Sequence, residues 1–205
     1  MTEKPRPLRA DAARNRARVL QVAYETFAEE GASVPIDEIA RRAGVGAGTV
    51  YRHFPTKESL FQAIVADRLR QIVEWTRARA ATDPGEGLYA FLFKMAEQGA
   101  TDLGLTEAFA GVGFDLAAAL PDAEREFTGM MTEILAQAQR AGTVRPDLDP
   151  ADIKTLIVGL QAMRRFRGDG ELMRRIYPVI RAGLAAPGSA ETSAREPLNT
   201  EQQGP

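Results

Sequence analysis

Cysteine is absent from all 205 residues, which removes disulfides, thiolate metal sites and cysteine nucleophiles together. Histidine occurs once, at His53, and a lone imidazole with no carboxylate at ligand spacing makes a poor metal site. Serine is almost as scarce. Ser33 and Ser59 fall at helix starts, Ser189 and Ser193 lie near the C-terminal end, and only His53 is available as a base for a hydroxyl. The residues therefore point away from an enzyme, a metal or a cofactor. Long apolar runs are missing too: a charge-free stretch such as Thr155–Met163 falls far short of the ~20 residues a membrane span needs. The basic start (Lys4, Arg6, Arg9, Arg14, Arg16, Arg18) has no apolar segment behind it and does not read as a secretory signal. The expected address is the cytoplasm, with no membrane partner.

What is present is the balance of a soluble chain, 44% hydrophobic and 26% charged, with an uneven charge distribution. Residues 1–60 hold ten basic against eight acidic side chains and residues 61–205 sixteen against twenty. The excess is sharpest in the first eighteen residues, six against two. A basic, flexible arm over 1–11 on a mildly acidic body suits a polyanionic partner or a merely solvated terminus.

Apolar residues recur at spacings of three and four, and alternating β-branched runs are missing, which predicts an all-α fold of about nine helices. One stripe is Val19, Val22, Ala23 and Phe27; others begin at Phe61, Leu88, Phe127, Ile153 and Leu172. Pro and Gly punctuate them. Residues 186–205 hold three prolines, a single leucine and no aromatic, so a disordered tail is expected there.

Ile36–Leu60 is the informative stretch. Pro35 suits a first helical position, Asp37 and Glu38 suit the positive end of a helix dipole, and Gly44 ends the helix after about two turns. Val45 and Gly46 turn the chain, Ala47–Phe54 forms a second short helix, and Pro55 stops it. Two short helices on a tight Gly-containing turn make a helix-turn-helix. With Ile36, Ile39, Ala40, Val45, Val50 and Phe54 turned inward, Ala47, Gly48, Thr49, Tyr51, Arg52 and His53 remain outside. Small residues there let backbone approach a duplex, and the polar ones offer donors to phosphates and base edges. Lys57 places a cation at the start of the next helix, where a docked phosphate or plain solvent would accommodate it. Arg41 and Arg42 fit an ion-paired helix face with Asp37 and Glu38 better than they fit DNA contacts.

The run IDEIARRAGVGAGTVYRHFPTKESLF (Ile36–Phe61) resembles the DNA-binding domain of TetR-family transcriptional regulators, over roughly the first quarter of the chain. The resemblance implies a homodimer that binds a double-stranded DNA operator, with a three-helix DNA-binding domain at 12–57 and a larger helical ligand-binding and dimerisation domain at 58–185. It places Thr49, Tyr51 and His53 on DNA, Lys57 on a phosphate and Gly48 beside the bases. The basic segment adds Arg14 to the DNA contacts, with Arg9 and Arg16. Pro35 departs from the pattern: many members carry Thr or Ser there, and proline lacks both the hydroxyl and the N–H that meet a phosphate.

Beyond residue 80 no motif names an effector. Trp75, Phe91, Met95, Phe109, Phe114 and Met131 are candidates to line an apolar pocket for a small molecule, although side chains at helical spacing also read as ordinary core. Ile153, Leu156, Ile157, Leu160 and Met163, with Leu172, Ile176 and Val179, form the two stripes expected to build an isologous four-helix dimer interface. The functional expectation is a repressor released from its operator by a small molecule. The alternative is a DNA-binding dimer whose second domain is a protein-interaction scaffold.

Overall fold

The computed structural model describes residues 6–97, 116–167 and 170–187. Its helices are α1 (Arg6–Glu30), α2 (Ile36–Ala43), α3 (Ala47–His53), α4 (Lys57–Thr82), α5 (87–97), α6 (Leu116–Ala119), α7 (Pro121–Arg140), α8 (Pro150–Arg167) and α9 (Gly170–Leu184). The all-helical expectation holds among the described residues. Phe109, Phe114 and the tail beyond 187 lie outside them. Helix α1 begins at Arg6, so residues 6–11, expected as a flexible arm, are helical. Pro7 falls in the first turn, where its missing N–H costs nothing, and no glycine follows before Gly31.

The chain divides into two compact units. The first contains α1, α2, α3 and α4 as far as Trp75, with residues 98–129. Its core joins Val19, Leu20, Ala23 and Phe27 of α1, Ile36, Ile39, Ala40 and Ala43 of α2, Val50 and Phe54, and Leu60, Phe61 and Ile64 of α4. The start of α4 is thus part of the same core as the three short-range helices. Thr56 and Ser59 cap α4 reciprocally: the Ser59 N–H donates to Thr56 Oγ1 at 3.0 Å and the Thr56 N–H to Ser59 Oγ at 3.1 Å, satisfying donors that a helix start leaves open.

The second unit contains residues 76–97 and 130–205. Leu88, Tyr89, Phe91, Leu92 and Met95 of α5, Met130, Met131, Ile134 and Leu135 of α7, and Ile153, Ile157 and Leu160 of α8 are buried. Asp149 caps α8, its Oδ1 accepting from the N–H groups of Ala151 and Asp152 at 2.7 and 2.9 Å, with Pro150 at the first helical position. At one end a clasp closes the unit. Arg181 makes a two-pronged ion pair with Glu86 and lies 4.1 Å over the Tyr89 ring. The Tyr89 hydroxyl donates to the Thr143 carbonyl at 2.9 Å, and the Thr143 hydroxyl to the Gly85 carbonyl at 2.8 Å. Tyr177 donates to the Tyr89 carbonyl, and burial pushes its hydroxyl up to about 12, so it stays a donor throughout the physiological range.

Gly87 admits no side chain here. A Cβ would come within 2.7 Å of Ala80 Cβ and 3.0 Å of Ala80 Cα, and neither atom can rotate away. Gly87→Ala is expected to lose about 1–3 kcal/mol through overpacking, measured by urea denaturation; an unchanged midpoint would show that the α4–α5 turn opens freely.

The two stripes expected to form a dimer interface are corrected in part. Ile153, Ile157 and Leu160 are buried in their own protomer and so are unavailable to a partner. Leu156 and Ile176 are half-buried, while Met163, Val179 and the neighbouring Val158 stand 43%, 66% and 57% exposed. The Leu172 side chain lies outside the described set. Helix α8 carries apolar residues on more than one side, and spacing alone does not say which side faces its own core.

Candidate nucleic-acid interface

Helix α2 ends because Gly44 adopts a left-handed conformation, φ 68°, with its N–H directed to the Ala40 and Arg41 carbonyls; glycine alone does this without a steric penalty. The Val45 N–H then returns to the Ala40 carbonyl at 3.0 Å. Gly46, in extended conformation, opens α3. Val50 and Phe54 sink into the core and fix the roll of α3. Gly48, Tyr51, Arg52 and His53 are thereby exposed, with Ala47 and Thr49 half-buried. A Cβ placed on Gly48 would meet nothing within 4 Å, so open space lies against this helix. Of the six α3 residues expected outside, four are exposed, while Ala47 packs against the core and Thr49 is half-buried.

Pro35 takes the N-cap of α2, one residue earlier than the expected first helical position, and makes no capping hydrogen bond. Lys57 does not reach outward: its ammonium donates to the Ala32 carbonyl at 2.9 Å and the Ser33 carbonyl at 3.2 Å. It fastens the start of α4 to the loop before α2, which relieves the unfavourable placement of a cation at a helix start.

On α2 the arginines are spent on carboxylates. Arg41 holds Glu38 through two bonds of 2.8 and 2.7 Å, and Arg42 bonds Glu38 at 2.7 Å while also pairing with Glu30. The hydrogen bonds from Arg41, then those from Arg42, hold the Glu38 carboxyl down to about 2. A carboxyl depressed in the folded state adds stability above its unfolded value of 4.5, and that stability disappears as pH falls through about 2. The Tm of wild type and Glu38→Gln should therefore differ at pH 6 and converge towards pH 2. A difference that persists unchanged to pH 2 would contradict the pairing.

Charge that remains open lies elsewhere. Arg14 pairs with Asp11. Arg16 lies 5.6 Å over the Phe54 ring and lines a groove of about 270 Å³ between α1 and α3, together with Asn15, Val19, Thr49, Arg52 and His53. Arg16 is thus better placed beside α3 than Arg14. Asn15 escaped the sequence reading because the α1 stripe was begun at Val19; extending it back by helical steps through Arg16 to Ala12 would have found this side of the helix. At α3 the Tyr51 hydroxyl donates a hydrogen bond to Asp37 Oδ2, 3.1 Å long, which raises the tyrosine's titration above its ordinary value.

Of the candidate pocket residues, Phe91, Met95 and Met131 are buried in the second unit, while Trp75 belongs to the first and is 39% exposed.

A helix-turn-helix with an exposed second helix beside a groove lined by Arg16 and Arg52 as well as Asp11 defines a DNA-binding regulator. Residues 19–64 match the family described as bacterial regulatory proteins, tetR family, and residues 83–186 match the C-terminal domain of SbtR-like transcriptional regulators. The chain resembles a TetR transcription regulatory protein from Mycobacterium vanbaalenii at 54% identity, covering 88% of this chain and all of that one, with a TM-score of 0.75. It also resembles the TetR regulator SCO0520 of Streptomyces coelicolor at 26% identity, over 84% of this chain and 99% of that one, with a TM-score of 0.71. A curated HTH-type transcriptional regulator of Staphylococcus aureus is 39% identical over 59 residues, 28% of this chain and 32% of that protein, so the chain spans about a third of the length of the curated relatives it matches. The chain belongs to the TetR family of transcriptional regulators.

Proposed function

We propose that the protein is a homodimeric repressor that places α3 of each protomer in successive major grooves of a pseudo-palindromic operator and is released by a small-molecule effector. The observation that carries the DNA reading is the uniform exposure of Gly48, Tyr51, Arg52 and His53 on a helix whose roll is set by buried Val50 and Phe54. Half-sites then lie about one helical turn, ~34 Å, apart. Thr49, Arg52, His53 and Arg16 serve the backbone beside α3. Lys57 acts indirectly, by holding the loop before α2. Partnering uses the exposed apolar residues Val158, Met163 and Val179, and the protein acts in the cytoplasm, where the chromosome is.

The effector is held by the second unit, and it acts only if it binds the operator-bound and released arrangements unequally. The test is a thermal-shift screen of small metabolites followed by operator competition. Compounds that raise Tm and free the duplex support the reading, since stabilisation follows ligand occupancy. Stabilisation by a protein partner alone, with no small molecule active, would favour a scaffold role for the second unit.

A further inference from the structure

Tyr51 stands on the exposed side of α3, but its hydroxyl is already engaged. It donates to Asp37 Oδ2 at 3.1 Å, and an ionised carboxylate can only accept, so the single phenolic proton is the one shared. What the Tyr51 oxygen still offers is lone pairs. A phosphate oxygen needs a donor and meets none here. Asp37 also sets a negative charge beside the hydroxyl, which repels the DNA backbone. The α2 cations do not offset it, because Arg41 is bound to Glu38 and Arg42 to Glu38 and Glu30.

A hydroxyl that accepts only, beside a carboxylate and on a helix with open space against Gly48, suits a different group. In the major groove the hydrogen-bond donors are exocyclic amino groups, N6 of adenine and N4 of cytosine; guanine and thymine show only acceptors there, apart from the thymine methyl. We infer that Tyr51, oriented by Asp37, reads an exocyclic amino group of adenine or cytosine at one position of each half-site, and does not contact a phosphate. Asp37 is the positioning residue: it takes the proton that would otherwise let the hydroxyl serve either partner. The inference rests on the proposed docking of α3 in the major groove.

The geometry separates base reading from backbone contact by experiment. Operator duplexes are first selected from a random pool by the wild-type protein, and binding is then measured for wild type, Tyr51→Phe and Asp37→Ala at several salt concentrations. Tyr51 is 41% exposed, and phenylalanine keeps its ring, so the fold is preserved. The expected result is an inverted repeat with A or C at one position per half-site. Tyr51→Phe should flatten the preference at that position alone, weaken the selected operator about tenfold and leave the salt slope unchanged, as loss of a base contact does. Purine in place of adenine, or 2-pyrimidinone in place of cytosine, removes only the amino group; whichever applies should cost the wild type as much as Tyr51→Phe does on the selected operator, and should cost Tyr51→Phe nothing further. Asp37→Ala should blur the same position while binding non-specific DNA more tightly.

Uniform weakening of Tyr51→Phe on every duplex, with the salt slope reduced by about one, would identify a phosphate donor and overturn the inference. So would an unchanged preference at every position. If wild type selects no repeat at all, the docking itself fails, which is a separate outcome from a repeat that ignores Tyr51.

Discussion

In the proposed homodimer, Val179→Glu should separate the two protomers and lower operator affinity at least about a hundredfold, because the second reading helix then no longer benefits from the first being bound. Val179 is 66% exposed on α9, and Val158 and Met163 are 57% and 43% exposed on α8, apolar surface that the proposed dimer would cover; a carboxylate at 179 would be desolvated in such an isologous contact. Sedimentation measures the mass and a duplex-binding titration the affinity. Ile153→Ala serves as the contrast. Ile153 is fully buried in its own protomer, so its truncation should cost about 2–5 kcal/mol of folding stability through the cavity it leaves while the remaining folded protein stays dimeric. If Val179→Glu remains a dimer with full affinity, partnering uses another surface.

The second large effect is electrostatic. Arg16 and Arg52 line the groove beside α3, whereas Arg41 and Arg42 are held by Glu38 and Glu30. In the proposed dimer, replacing Arg16 and Arg52 together by glutamine would remove four phosphate contacts, which should flatten the dependence of log affinity on log salt by about 3 to 4. Between 50 and 200 mM salt that is about two decades of salt sensitivity. The Arg41→Gln, Arg42→Gln pair should change the slope little, because those guanidiniums already neutralise carboxylates. Equal slopes for the two double variants would show that the ion pairs on α2 open on DNA.

The contrast between these arginine pairs separates what local spacing encodes from what the fold brings together. Arg41 and Arg42 lie three and four residues after Glu38, a local spacing that fixes neighbours on a helix, and the ion-paired face was foreseeable. The turn is equally legible, since Gly44 takes a left-handed conformation that other residues resist, and Pro55 cannot continue α3. Pro35 stands one residue before its expected place because a proline near a helix start fits either position, and the expectation of a flexible arm over 1–11 rests on charge, which does not oppose a helix from Arg6 onward. The structural partners of Lys57, the carbonyls of Ala32 and Ser33, lie 25 and 24 residues away, so no local spacing announces them. Pairing across the fold, as in Tyr51 with Asp37 or Glu86 with Arg181, leaves no periodic signal. The α8 stripe divides for a related reason: spacing reports which residues share a side, and only packing decides what that side meets.

Sequence-selective docking of α3 is the central claim, and selection of bound duplexes from a random pool at two salt concentrations tests it most directly. The predicted result is enrichment of an inverted repeat with half-sites about one helical turn apart, persisting at the higher salt. Enrichment of no sequence, with binding that vanishes as salt rises, would mean that basic side chains alone touch DNA and would contradict the account.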